Sequence, residues 1–291
     1  MREHAGETFV IKAGGELFDD PPAARAFMAQ IPSLRDAGAR LVLVHGGGAQ
    51  LTALATALGR ETLKVDGRRV TDAQAIDVAA MVLNGLVNTR IVALCRALGI
   101  DAVGLSGVDS RLVRAHRRAP MWIAGRAEAV DYGYVGDIDG VDATLLHELL
   151  DAGRMPVVSP LCADDDGTLL NVNADTVAAA LAVALGAGRL ILCTGAAGIL
   201  ADVNDPASVV PCTDLAGLAR LRADGSFADG MLPKSSAIEA AIRGGVRRVH
   251  LVSHRTPDAV LAAASTDDGA GTLIVGDIAA HGRRRAPDSE R

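Results

Sequence analysis

Short apolar runs rich in Val, Ile and Leu alternate along this chain with stretches in which apolar residues recur every three or four positions. The runs predict strands at Thr8–Ile11, Leu41–Val44, Ala102–Leu105, Pro156–Ser159, Leu190–Cys193, Val249–Val252 and Thr272–Val275, with a shorter one at Leu169–Leu170. The stretches predict helices at Ala23–Gln30, Gln50–Leu58, Leu145–Leu150, Asp175–Leu185 and Lys234–Arg243. A longer helix is expected after Thr71-Asp72, which can cap it, with Ile76, Val78, Met81, Val82, Leu86, Ile91, Val92 and Leu94 on its apolar side. Strands that alternate with helices imply βαβ units and a largely parallel sheet. Residues 112–136 break the pattern and read as exposed hairpin material whose strands the sequence does not place.

The 291 residues contain no Pro-, Gly- and Ser-rich linker, so the expectation is a single domain over 1–278 with two lobes, about 1–170 and 171–278, on a continuous sheet. The tail, 279–291, carries Arg283-Arg284-Arg285 and reads as a disordered, solvated end. A net charge of −6 argues against a general nucleic-acid surface. Cys95, Cys162, Cys193 and Cys212 show no CxxC pairing and no His at metal-ligand spacing, so they are expected to be reduced, buried thiols, and no metal site is expected. The polar start Met1-Arg2-Glu3-His4 is not a signal peptide, and no apolar run is expected to reach the roughly 20 residues of a membrane span. The expectation is a cytoplasmic protein without a nucleic-acid or membrane partner.

Glycine turns carry the candidate chemistry. Lys12 closes the first strand ahead of Ala13-Gly14-Gly15, and His45-Gly46-Gly47-Gly48 follows the second. Consecutive glycines are costly to order and allow an anion close to the backbone, where a following helix adds N–H groups and its positive dipole end. Neither a Walker GxxxxGK[ST] nor a dinucleotide GxGxxG sequence is present. His45 reads as a hydrogen-bonded structural residue rather than a base. Arg69, in Gly67-Arg68-Arg69-Val70-Thr71, offers a fork of donors to a carboxylate. Asn171, Asn173 and Asp175 share one side of an extended segment and can also cap the next helix. Lys234 sits in Asp229-Gly230-Met231-Leu232-Pro233-Lys234 where a helical pattern begins. Two cations, bare N–H groups and a carboxylate suit phosphoryl transfer, which needs spreading charge neutralised and oxygens held in place.

Taken together, KAGG at Lys12, VHGGG at Val44, GRRVTD at Gly67, GLSG at Gly104, GYVGDI at Gly133, NVNAD at Asn171, GAAGIL at Gly195, DGMLPK at Asp229 and Gly271-Thr272 resemble the amino acid kinase family, and within it the N-acetyl-L-glutamate kinases. The resemblance implies a three-layer αβα sandwich, with the acyl amino acid in the N-terminal lobe and ATP in the C-terminal one. It implies transfer of the γ-phosphoryl of MgATP to the side-chain carboxylate of N-acetylglutamate in arginine biosynthesis. By position, Lys12 and Lys234 match lysines that stabilise the transition state, and Asp175 the carboxylate that orients them. Gly14 and Gly15, with Gly47, match phosphoryl contacts; Gly47, Gly48, Arg69 and Asn171 match the acyl substrate. Gly195, Gly198, Ile199, Leu200, Phe227 and Ala228 match the nucleotide pocket. Gly195 stands where the family usually has an Asp. Gly85-Leu86-Val87-Asn88 also resembles sister kinases whose aminoadipate or glutamate is attached to an amino-group carrier protein, whereas Gly133-Tyr134-Val135-Gly136 resembles the free-substrate enzymes. A non-catalytic amino acid or nucleotide sensor is the other alternative. Arginine-sensitive relatives carry an extra N-terminal helix. Met1–Glu7 is too short for a stable one, so the expected state is an arginine-insensitive homodimer.

Overall fold

The computed structural model describes residues 3–65, 68–123, 125–224, 227, 231–266 and 271–279. β1 (Thr8–Ala13) leads through a 3-10 turn (Gly15–Asp19) into α1 (Pro21–Met28) and α2 (Gln30–Asp36), and β2 (Arg40–His45) leads into α3 (Gly48–Ala57). A small ladder, β3 (Lys64–Val65) with β4 (Arg68–Arg69), precedes α4 (Ala73–Ala80), a π-helical segment (Met81–Asn88) and α5 (Thr89–Ala97). β5 (Ala102–Ser106), β6 (Val113–Arg117), β7 (Gly136–Val141), α6 (Thr144–Asp151), β8 (Met155–Ser159), β9 (Leu161–Ala163) and β10 (Leu169–Asn171) complete the first part. α7 (Ala174–Ala184), β11 (Arg189–Thr194), β12 (Cys212–Asp214), α8 (Leu215–Ala223), α9 (Met231–Arg243), β13 (Arg248–Ser253), α10 (Ala259–Ser265) and β14 (Thr272–Val275) follow.

The main sheet has eight strands in the order β12-β14-β13-β11-β1-β2-β8-β5. Its pairings are parallel except β13 with β14. Side-chain parity makes this sheet the middle of three layers. Phe9, Ile11 and Ala13 of β1 join Leu41 and Leu43 of β2 in a core beneath α1, α2, α4, α5 and α10. Val10, Val42 and Val44 join a second core beneath α6, α7, α8 and α9. Lys12 has the parity of Val10, so its side chain leaves the sheet toward α7 and α9. β1 pairs with β11 on one side and β2 on the other, so strands from both parts of the chain form one continuous sheet. Residues 112–136, left unplaced by the pattern, supply β6 and an isolated bridge between Met121 and Val130; β6, β7, β9 and β10 form a separate four-stranded sheet.

The expected helix Ala23–Gln30 is two helices, broken at Ala29, whose second member carries Pro32 in its first turn. Ala73–Ala97 is 25 residues long and, contrary to expectation, apolar enough by composition to cross a membrane. It packs instead on the sheet through Ile76, Val78, Ala79, Val82, Leu83, Val87, Ile91 and Cys95. Cys95, Cys162 and Cys193 are free thiols, as expected, whereas Cys212 is only partly buried. Cys95, Cys162 and Cys193 are buried, which pushes Cys193 up to about 12. Most of the tail, from residue 280, lies outside the described residues, as do Gly67, Ala228, Asp229 and Gly230.

Candidate active site

The C-terminal ends of β1, β2 and β11 lie side by side, with Ala13 paired to both His45 and Cys193. Gly14-Gly15, Gly46-Gly47-Gly48 and Thr194-Gly195 therefore leave the sheet along one edge, where open α/β sheets bind ligands. The two glycine turns are bolted together. Gly46 N–H donates to Ala13 O (2.9 Å), and Gln50 Nε2 donates to Gly15 O (2.6 Å). A Cβ on Gly15 would come within 2.7 Å of Gly47 Cα, so only glycine allows the turns this close. Gly48 opens α3 with nothing within 4 Å of an added Cβ, so that helix N-terminus faces open space.

Asp175 lies in the first turn of α7, whose start is capped by Asn173 Oδ1 accepting from the N–H groups of Asp175 (2.8 Å) and Thr176 (3.2 Å). A carboxylate there faces the positive end of the helix. Lys12, from the end of β1, places Nζ 3.0 Å from Asp175 Oδ1. Lys234, from the first turns of α9, places Nζ 2.9 Å from Oδ2. Burial pushes the Asp175 carboxyl up, but the charges of Lys12 and Lys234 outweigh it and hold it at about 2. Lys234 is drawn below its usual range, first by burial and then by Lys12, with Asp175 opposing both. The three residues assigned from sequence to the reaction centre are thus in direct contact, and a buried cation pair is held together by one carboxylate.

A cavity of about 320 Å³ opens at the first turns of α7 and α9, which carry Asp175 and Lys234, lined in part by Arg68, Arg69, Arg118, Asn171, Asn173 and Pro233. Arg69 is half-buried and gripped by its own chain: Nη2 donates to Gly48 O (3.0 Å) and Thr52 Oγ1 (2.8 Å), and Nη1 to Thr62 Oγ1 (3.0 Å). These bonds tie the arginine to the first turns of α3. Asn171 Nδ2 reaches Thr71 Oγ1 at 3.3 Å. Arg68, given no role by the sequence, is half-buried and lines the same cavity. Sequence reasoning also missed Arg118, which forks onto Asp137 from Nε at 3.0 Å; the GYVGDI motif contained Asp137, but nothing nearby in sequence linked the pair.

The residues expected to border a nucleotide separate. Ile199 is buried in the second core, and its N–H donates to Thr272 Oγ1 (2.9 Å). Gly198 presses on Thr272 and Val209, closely enough that a Cβ would collide with both. These two shape the loop from within. Gly195, Leu200 and Phe227 are not fully buried, whereas Ala228 falls outside the described residues. Thr194 Oγ1 accepts from Ala196 N–H (2.9 Å), ordering the turn at the point where the carboxylate is lacking.

The sequence profile of the amino acid kinase family matches residues 7–253. The chain belongs to the amino acid kinase family. Among its curated relatives, an acetylglutamate kinase of Myxococcus xanthus is 46% identical over 279 residues, covering 94% of this chain and 91% of the relative. Another acetylglutamate kinase, from Thermosynechococcus vestitus, is 39% identical, covering 97% and 92%. Among solved structures, N-acetylglutamate synthase from Neisseria gonorrhoeae, complexed with coenzyme A and L-arginine, superposes with a TM-score of 0.81 at 27% identity. The match covers 95% of this chain but only 63% of the synthase, so the chain spans less than two thirds of that protein. Giardia lamblia carbamate kinase bound to AMP-PNP shares the fold with a TM-score of 0.65 at 17% identity. An amino acid kinase sheet with helices on both faces is therefore what this sequence builds.

Proposed function

We propose that this chain is an acetylglutamate kinase, transferring the γ-phosphoryl of ATP to the side-chain carboxylate of N-acetyl-L-glutamate in arginine biosynthesis. The observation that carries the reading is Asp175 bridging Lys12 and Lys234 beside two interlocked glycine turns. Near-identical coverage with curated acetylglutamate kinases supports the choice of substrate.

The acceptor carboxylate is already ionised at neutral pH, so no general base is required. Positioning and charge neutralisation carry the rate. In this reading Arg69 and Asn171 hold the acyl amino acid at the mouth of the 320 Å³ cavity. N–H groups of Gly14, Gly15 and Gly47 donate to phosphoryl oxygens, while Gly47 and Gly48 also border the acyl substrate. Lys12 and Lys234 meet the negative charge that spreads over those oxygens as the bond to the β-phosphate breaks. Asp175 keeps both ammonium groups at fixed positions and does not touch the phosphoryl group. Gly195, Leu200 and Phe227, with the loop shaped by Gly198 and Ile199, border the adenine nucleotide. The N-terminal lobe, about 1–170, with Asn171 at its boundary, supplies the acyl side, and the remainder to about 278 the nucleotide side.

Among the described residues no group of three or more His, Cys, Asp or Glu could hold a resident metal. Mg²⁺ would arrive with ATP, held mainly by phosphate oxygens and water, and would neutralise their charge. Glu16, whose carboxylate lies over Gly14, is the side chain placed to meet such an ion. We further place the reaction in the cytoplasm and assign a homodimer, which the open backbone edge of β5 at the end of the main sheet would suit. The test of substrate is an ATP-dependent hydroxamate assay offering N-acetylglutamate, N-acetylaspartate, aminoadipate and free glutamate. Turnover confined to N-acetylglutamate supports the reading. Turnover of aminoadipate or glutamate only when attached to a carrier protein would replace it with the sister reaction.

A further inference from the structure

His45 ends β2 and is fully buried one residue before the glycine turn. Its ring touches two groups. Nδ1 lies 3.0 Å from Gly46 O, and Nε2 lies 3.1 Å from Asn88 Nδ2. A carbonyl only accepts, so Nδ1 must carry the proton. The Asn88 amide orientation is equally determined: its nitrogen also reaches Val157 O (2.9 Å) and Leu105 O (3.3 Å), both acceptors. The neutral ring protonated at Nδ1 leaves Nε2 bare, and Asn88 Nδ2, whose two hydrogens are shared among three acceptors, faces it as a donor. Both contacts demand the same neutral tautomer. Burial works in the same direction, pulling the ring down to about 4 against the Gly46 bond that raises it.

Asn88 closes the π-helical segment Met81–Asn88. The widened turn brings three of its side chains onto this edge of the sheet. Leu83 sits beneath Gly47, where an added Cβ would meet Leu83 Cδ2 at 2.7 Å. Asn84 Oδ1 accepts from Ser159 Oγ (2.5 Å), and Asn88 holds His45.

We infer that His45, held by Asn88, is a positioning residue that sets the direction of the Gly47 N–H in the phosphate-binding turn. The carbonyl of Gly46 and the N–H of Gly47 belong to one planar peptide and point in opposite directions. Between two glycines that peptide can flip at little cost, because neither φ/ψ pair is restrained by a Cβ. The bond from His45 Nδ1 to Gly46 O selects one of the two orientations. Asn88 in turn prevents the ring from turning away, and its own place is fixed by β5 and β8 through Leu105 O and Val157 O. The turn is therefore aimed before any ligand arrives, which is what a transition state stabilised by fixed dipoles requires.

The inference rests on the kinase reading for its kinetic readout and on the fold alone for its spectroscopic one. In the full chain labelled with ¹⁵N-histidine, His45 should show a protonated Nδ1 and a bare Nε2 from pH 8 to about pH 5. An Nε2–H tautomer, or titration near the ordinary imidazole value, overturns the inference whatever the enzyme turns over. In kinetics with MgATP and N-acetylglutamate, His45→Leu should lower kcat about tenfold or more, and Asn88→Ala should lower it several-fold. His45→Asn restores a donor where Nδ1 stood and should remain within about threefold of the unsubstituted protein. Variants that melt earlier yet keep kcat per folded molecule would reduce His45 to a structural residue and overturn the inference. If His45→Leu does not fold, the comparison of Asn88→Ala with His45→Asn decides between the same two outcomes. A wild type that phosphorylates none of the acceptors counts against the kinase reading, and the tautomer then decides the inference alone.

Discussion

Lys234 Nζ lies 2.9 Å from Asp175 Oδ2, and the two residues expose only 7% and 6% of their surfaces. The other carboxylate oxygen is 3.0 Å from Lys12, so one anion is shared by two cations in a space nearly closed to water. Two ammonium groups alone would repel each other there. Asp175 makes their proximity tolerable while leaving a net positive charge, which in the proposed reaction would meet a phosphoryl group. Replacing it with the isosteric amide should be expensive on both counts. Asp175→Asn is expected to cost about 3 kcal/mol of stability, because it leaves buried charges uncompensated. Turnover should fall about 100-fold or more as the lysines separate or lose protons. Thermal melts and single-turnover kinetics check both; a variant with normal kcat would remove Asp175 from the centre.

Lys12→Ala and Lys234→Ala should each lower kcat by about 100-fold while changing the Michaelis constants much less. The charge they neutralise builds up mainly at the transition state rather than in the bound substrates. Steady-state kinetics over both substrates separates the two parameters. Near wild-type turnover in either variant would show that the corresponding lysine is structural.

The acid side of the stability profile should carry the signature of Asp175. Its folded-state value of about 2 lies below the ordinary 3.8, so its ionised form is favoured by folding. The contribution, about 2 kcal/mol, is complete above pH 4 and lost as pH falls through about 2. Urea melts between pH 5 and 2 should therefore lose less stability in Asp175→Asn than in the wild type. Parallel slopes would mean that another carboxylate drives acid unfolding.

Arg69 makes a different demand. Its guanidinium holds Gly48 O, Thr52 and Thr62 while lining the cavity beside Asn171. Arg69→Ala is expected to raise the Michaelis constant for N-acetylglutamate about tenfold or more, with a smaller loss in kcat as α3 loosens. Arg69→Lys should recover little, because a point charge cannot replace the fork. Arg68 lines the same cavity and is no neutral control; Arg90, exposed on α5, serves instead. An Arg69→Ala enzyme with the acyl-substrate constant of Arg90→Ala would exclude the contact.

Much of this was legible in the sequence because the central strands are buried on both faces. Phe9–Ile11 and Leu41–Val44 read as unbroken apolar runs, and the glycines after them marked where the backbone must come close. The triad was legible too, although Lys12 and Lys234 are distant in sequence, because each stood at the end of a predicted element. What escaped was carried by weak contrast or long range. α10 is mostly alanine, so no apolar stripe stands out from a polar one. α8 did offer Leu215, Leu218 and Leu221 at helical spacing, and the break between α1 and α2 was flagged by Pro32; both signals went unread. The π segment has no local mark, since Met81–Asn88 reads as ordinary amphipathic helix. The link from His45 to Asn88 spans 43 residues and depends on the register of β5 and β8, which no local pattern encodes.

Gly195 offers the most direct test of the nucleotide side. The turn lacks the carboxylate usual in the family, and Thr194 compensates only in part, through one bond to Ala196 N–H. An added side chain would fit without strain. A Cβ at Gly195 meets nothing closer than Arg255 Nη2 at 3.7 Å and His254 Cε1 at 3.9 Å, both ordinary contacts. A carboxylate there would find the Arg255 guanidinium as a partner and would also remove the backbone freedom that glycine gives the open turn. Gly195→Asp is therefore expected to tighten ATP about three- to tenfold, matching a gain of about 1 kcal/mol from a charge-assisted contact and a stiffer turn. The Michaelis constant for N-acetylglutamate should not change, because Gly195 follows β11 of the main sheet, whereas Arg69 and Asn171 stand on the two smaller sheets. Calorimetry with ATP, with and without N-acetylglutamate, reads both proteins. Weaker binding by Gly195→Asp would mean that the turn already presents its N–H groups to the phosphates and that the carboxylate repels them. If the unsubstituted chain bound no ATP even with N-acetylglutamate present, catalysis itself would be excluded, and the buried triad would belong to an amino acid sensor.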